Sequence, residues 1–166
     1  MNPPSLSVTR FIERLAHHKF RSTWSVEGSA ADVFHVLNNI GDYPRWWPEI
    51  RAVRLLDEAY AEVDIRAALP YWLRILLEKE IADEAGGILR TRISGDLDGW
   101  SSWSITAVGG ACLLRFDEEV VTTKRVMNAL APIARPLFRL NHTLMMRHGE
   151  QGLRRFLTRS VCSVND

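Results

Sequence analysis

Glu118 stands where a carboxylate is costly. It belongs to the run Leu114, Phe116, Glu118, Val120, which alternates with Arg115, Asp117 and Glu119. That period of two describes a strand with one dry and one wet face, and puts Glu118 on the dry one. Three outcomes are open. The carboxylate meets a cationic partner, its pKa rises and it becomes an acid/base candidate, or a bulge turns it outward beside Glu119. Lys79 is one cation that the alternation of Leu73, Ile75 and Leu77 also directs inward. His142 is the second candidate acid/base. It follows Asn141 halfway along a helical segment. There an imidazole beside an apolar space can orient a ligand carbonyl, move a proton, or bond a backbone carbonyl as a structural group.

The other reactive side chains suggest less. His35 lies beside Asp32 and Asn38 at a polar helix position and is expected to face solvent. His17, His18 and His148 have no companions at metal-ligand spacing, and there is no H-E-x-x-H or paired-thiol motif, so neither a metal nor a cofactor is expected. Cys112 and Cys162 are far apart and read as reduced thiols, which suits a cytoplasmic setting. No G-x-S-x-G element is present, and Gly86-Gly87 and Gly109-Gly110 read as hairpin turns. Arg135, Arg139, Arg147, Arg154 and Arg155 form a helix exterior, either solvated or meeting an acidic partner or lipid headgroups.

These residues must be positioned by a chain of 166 residues, 46% hydrophobic and 25% charged, with a net charge of +1. That balance argues against a nucleic-acid partner. No run approaches the ~20 apolar residues of a membrane span, and no secretory signal is evident near the start. One domain over 1–166 is expected, with 1–17 an N-terminal extension. Its Val8, Phe11, Ile12 and Leu15 have the spacing of a short helix. Oligomeric state is not legible.

From Lys19 the period is two: Phe20, Ser22, Trp24 and Val26 share one face of a strand ending at Gly28. Ser29 and Asp32 resemble a capping box for a helix with the stripe Ala30, Val33, Phe34, Leu37. In IGDYPRWWPEI (40–50), Pro44 suits the first turn of a second short helix and Pro48 ends it. Adjacent helical residues sit ~100° apart, so Trp46 and Trp47 are expected to diverge, one inward and one to the rim or solvent. The alternative is that both are static plugs. Six strands follow, near 50–57, 60–69, 71–83, 88–97, 99–107 and 111–122. Their short connections imply antiparallel pairing. A helix over about 124–159 is expected to kink at Pro132 or Pro136, with Phe138, Asn141, Met145, Gly149, Gly152 and Phe156 inward. Gly149 and Gly152 either admit close packing or leave volume, and close packing is the stronger reading. Trp24, Ile93, Trp103, Ile105, Leu114, Phe116, Phe138, Met145 and Phe156 should meet between sheet and helix, as a solid core or as the wall of a hollow one.

The order of these elements, with GSAADVFHVLNNIGDYPRWWPEI, ALPYWL, SGDLDGW and LNHTLMMRHGEQGLRRFL, resembles the polyketide cyclase/dehydrase-like branch of the SRPBCC superfamily. That superfamily includes the START lipid-binding domains and the birch-pollen allergen. The resemblance covers roughly residues 18–158. It implies an α+β helix-grip fold: a seven-stranded antiparallel curved sheet around a long C-terminal helix, with two short helices after strand 1 and an apolar cavity beneath the long helix. It implies a small hydrophobic or amphipathic ligand of lipid, polyketide or aromatic type. The expected lining is Trp24, Trp46, Trp47, Ile93, Trp103, Phe116, Phe138, Asn141, His142 and Met145. Members often carry an aromatic residue where this chain has Glu118. The competing reading is a cyclase/dehydratase-like enzyme using an inward acid/base, with Glu118 and His142 as the weak candidates. A third is a protein-interaction module with a filled core. An enzyme needs a polar pair converging on one point, and the sequence offers only separate polar residues.

Overall fold

The computed structural model describes residues 17–66, 72–123 and 131–162. The expected helix near residues 8–15 lies outside them, as do 124–130. Element order is β1 (His17–Glu27), α1 (Ala30–Asn38), a 3-10 turn (Ile40–Asp42), α2 (Tyr43–Trp46), β2 (Ile50–Leu55), β3 (Tyr60–Arg66), β4 (Trp72–Asp83), β5 (Ile88–Gly95), β6 (Leu97–Val108), β7 (Ala111–Thr122) and α3 (Ala131–Cys162). The strands form one antiparallel sheet ordered β1-β7-β6-β5-β4-β3-β2. Successive hairpins account for β2 to β7. The eleven-residue register of β1 on β7 then brings the first strand back beside the last. This is the helix-grip arrangement, with α3 lying across the curved sheet.

Local chemistry explains the junctions. The Ser29 hydroxyl accepts the Asp32 N–H at 3.1 Å and donates to the Asp32 carboxylate at 2.6 Å, so the shorter acid still caps α1. Gly109 and Gly110 take φ of 56° and 88° and turn β6 into β7. The expected break at Asp98-Gly99 falls earlier, at Asp96. Gly95 supplies the positive φ there, and the backbone N–H and C=O of Arg74 are both bonded by Asp96. Gly99 instead permits a close approach between strands, since a Cβ there would run into the Glu119 carbonyl across the ladder.

α3 continues through Pro136 as one helix of 32 residues, so no break falls there among 131–162. The inward stripe is also shifted. Met146, Gly149, Leu153 and Leu157 are buried, while Met145, Gly152 and Phe156 are half-buried at its margin. Gly149 and Gly152 serve close packing. A Cβ on Gly149 would lie 2.6 Å from Cε2 of Trp47, and one on Gly152 would overlap the backbone carbonyl of Trp46.

α2 is anchored by Tyr43, whose hydroxyl donates to the Leu37 carbonyl at 2.7 Å. Burial pushes this phenol well above its ordinary range, so it remains a donor.

Two stability outcomes follow from these contacts. Gly152→Ala should lower stability by about 1–3 kcal/mol in denaturant unfolding, because the backbone it strikes cannot rotate away. An exposed helical glycine would instead gain up to ~1 kcal/mol from the same change. A neutral or stabilising result would show that α3 does not pack this closely. Tyr43→Phe should cost about 1–3 kcal/mol by leaving the Leu37 carbonyl unpaired. A wild-type melting curve would mean that this bond anchors nothing.

Candidate functional site

Between the sheet and the first half of α3 lie two adjoining hollows. The first, about 90 Å³, is bounded by β1, β4 and α3 through Phe20, Leu73, Phe138, Asn141 and His142. The second, about 100 Å³, reaches α2 and the middle of the sheet through Tyr43, Trp47, Trp103, Phe116 and Lys79. Ile65, Ile75, Ile93, Glu118 and Met145 line both and form the waist between them.

Glu118 points inward. It pairs with Phe20 on β1 and Ser101 on β6 without a register shift, which removes the bulge alternative. Its Oε2 lies 3.9 Å from His142 Nε2, with side chains only 11% and 10% exposed. That separation is too long for a hydrogen bond but short for a charge pair once the imidazole is protonated. Nε2 has no hydrogen-bond partner among the described residues. The ring is held flat against Phe20, centroids 3.8 Å apart and planes 10° from parallel. The two polar candidates that are separate in sequence therefore converge. Lys79 lines the second hollow beside a bulge between Lys79 and Ile81.

Of the expected lining residues, Trp47, Ile93, Trp103, Phe116, Phe138, Asn141, His142 and Met145 face the hollows. Two do not. Trp24 is packed behind the wall, 5.5 Å from Trp47 and 4.7 Å from Trp103. Trp46 faces a separate cleft on the outside of α2 and α3. The expectation that one indole of the pair reaches the rim or solvent is corrected: both are 4% exposed and stack at 5.3 Å, planes 24° apart. The reason is the backbone. Trp47 is extended (φ −112°, ψ 99°), so helical angles do not apply to it. Its indole N–H donates to the Met145 carbonyl of α3 at 3.0 Å. Ile105 and Leu114 belong to the solid core, and Phe156 lines the outer cleft.

His18 lines the site although it is not among the residues expected there. It is 7% exposed, packs edge-on to Phe138 and borders the first hollow. A signal for it exists in the sequence: His18 extends the alternation Phe20, Ser22, Trp24 by one step. Ser101 is a second unexpected neighbour, and shares a hydrogen bond of 2.9 Å with Thr91 beside the second hollow.

The remaining candidates lie elsewhere. His35 is exposed, 3.4 Å from Glu84, as expected. His148 Nδ1 meets Glu49 at 2.6 Å, and His17 meets Glu119 at 2.8 Å. Among the described residues no group of three or more His, Cys, Asp or Glu could hold a metal ion. Burial pushes the Cys112 thiol up, and it donates to the Gly28 carbonyl, so it is a packing group rather than a nucleophile. No described helix is long and apolar enough to cross a membrane.

Several solved structures share this architecture. Over 87% of this chain and 96% of the other, it is similar to the ZhuI aromatase/cyclase from Streptomyces sp. R1128, at 15% identity and a TM-score of 0.75. A START superfamily protein from Mycobacterium smegmatis matches over 86% of this chain and 98% of its own, at 18% identity and a TM-score of 0.70. A conserved protein from Geobacillus kaustophilus matches over 86% and 97%, at 10% identity and a TM-score of 0.74. At these identities the likeness speaks for the fold alone. A search of curated proteins by sequence found no match. Residues 17–159 match the profile of the family described as polyketide cyclase / dehydrase and lipid transport, and it is to this family, within the SRPBCC superfamily, that the chain belongs.

Proposed function

We propose that this protein binds a small, mainly apolar molecule in the paired hollows, with Glu118 and His142 gripping a polar group on it. The observation that carries this reading is the convergence of that pair at the waist of a wall that is mainly apolar and aromatic, with Asn141, His18, Lys79 and Ser101 among its other polar members. Each hollow is near 100 Å³, small beside the ~300–1,000 Å³ of drug-sized sites, so the occupant is on the scale of one or two rings. Burying roughly 200 Å² of its apolar surface would contribute about 5 kcal/mol before ordering costs. Glu118 offers acceptor oxygens and an imidazole N–H of His142 can donate, which suits a ligand hydroxyl or carbonyl.

The same pair supports a second reading, a cyclase/dehydratase-like reaction. A carboxylate and an imidazole on one point are the minimum for removing a proton from one atom and delivering it to another. The aromatase/cyclase among the structural neighbours makes that chemistry relevant to test, while the apolar wall serves the binding reading without any turnover.

The two readings separate by experiment. With 1-naphthol as probe, indole fluorescence should quench saturably. Trp47→Phe should remove most of the response and Trp46→Phe little of it. Ile93→Trp, which fills the waist, should abolish binding measured by calorimetry. Unchanged affinity in that variant places the ligand elsewhere. For Glu118→Gln, pure binding predicts roughly tenfold weaker 1-naphthol and unaltered naphthalene affinity. Catalysis predicts in addition a loss of ~100-fold or more in cyclised product from a poly-β-ketone thioester. Full activity in both Glu118→Gln and His142→Ala would eliminate the enzymatic reading.

A further inference from the structure

Behind the tryptophan pair, on the outer side of α2 and the last turns of α3, lies a third and larger space of about 390 Å³. It is open to solvent and shares no lining residue with the two hollows. Its apolar lining is Phe156, Pro44, Pro48 and the small exposed part of Trp46. Its rim carries the cations Arg45, Arg155 and Arg159, with His148 beside them. No carboxylate lines it among the described residues.

That charge is unusual for this molecule, whose formal total is +1. Across the sheet's outer face the arginines are matched to acids: Arg21 with Asp117, Arg54 with Glu62, Arg74 with Asp64, Arg90 with Glu80. The two acids behind the cleft each meet one of its side chains. Asp42 holds Arg45 at 3.1 Å, and buried Glu49 holds His148 Nδ1 at 2.6 Å. The latter contact fixes the imidazole and leaves Nε2 as the nitrogen available to the cleft. Arg155 donates to the Gln151 side chain at 3.4 Å, and among the described residues neither Arg155 nor Arg159 has an acidic partner. Arg45 lies 5.3 Å over the Phe156 ring, which holds one guanidinium at the edge of the apolar lining.

We infer that this cleft is a second binding site, for a small organic anion: a carboxylate or phosphate monoester carrying an apolar or aromatic body. The head group takes hydrogen bonds from Arg155, Arg159 and His148, and the body lies against Phe156 and the Pro44 and Pro48 rings. An inorganic anion uses only the rim, and a neutral ring uses only the apolar lining. This site stands independently of the occupant proposed for the inner hollows.

The test uses phenyl phosphate, with inorganic phosphate and benzyl alcohol as the half-molecule controls. Binding is followed by amide and indole chemical shifts of the full-length protein. Phenyl phosphate should bind saturably, moving the Gly152 amide and the Trp46 indole. It should bind at least roughly tenfold tighter than either control, and weaken as salt is raised. Arg155→Ala and Arg159→Ala, both at exposed positions, should each weaken it roughly tenfold. Arg139→Ala, outside the cleft, should not. Shifts confined to Ile93 and Phe116 would overturn the assignment, as would equal affinity for inorganic phosphate or for benzyl alcohol. Indifference to both arginine substitutions would overturn it as well.

Discussion

The contact between two glycines of α3 and the two tryptophans that end α2 governs the rest of the structure. Gly149 lets the helix descend onto the Trp47 and Trp24 rings, and Gly152 lets it meet the Trp46 backbone. With any side chain at those positions the helix would have to rise. The descent is confined to the C-terminal half of α3, where Met146, Leu153 and Leu157 are buried against the sheet. Phe138, Asn141, His142 and Met145 face the hollows instead. One helix is thus clamped at one end and spanning a gap at the other. The hollow is a consequence of where the clamp lies, since bulky aromatics at the clamped end set the stand-off of the helix above the remaining sheet.

The polar pair has meaning only within that geometry. Glu118 in a solid core would have to be neutralised or expelled. Here it faces an imidazole that aromatic stacking holds 3.9 Å away. A buried pair at that distance gains little stability over an apolar replacement, because desolvation offsets most of the attraction. Its presence on the dry face is therefore better explained by what it recognises than by what it stabilises. The packing of Trp24, Trp103 and Leu114 already supplies the stability of this region without it.

Much of this is legible in sequence, for reasons that differ by element. The strands are readable because period-two alternation is local, and Glu118 stands out as its one discordant member. His142 stands out less, as one of many polar residues on an amphipathic helix, at the margin of its apolar stripe. Their convergence is not readable. It depends on the depth at which α3 sits, which the glycines set through contacts about 100 residues away in sequence. The same depth rotates the buried stripe of α3 from Met145 and Phe156 towards Met146 and Leu157. Trp46 and Trp47 depart from expectation because a helical angle does not describe a residue whose backbone is extended. At Gly95 and Gly99 the sequence shows two glycines but not what each permits, since a turn and a close approach look alike until the ladder register is known.

The clamp also decides where the hollows can widen for a larger occupant. The tryptophan end resists. Trp47 is tied to the Met145 carbonyl, stacks on Trp46, and has the Gly149 backbone against it, so motion there breaks several contacts together. At the other end of α3, among the described residues, Pro136 withholds one hydrogen bond from the helix, and Leu137 and Leu140 are exposed. His142 and Asn141 border the first hollow at that end. The polar pair lies between that end and the second hollow, and the waist of Ile93 and Met145 determines how much of a ligand passes beyond it.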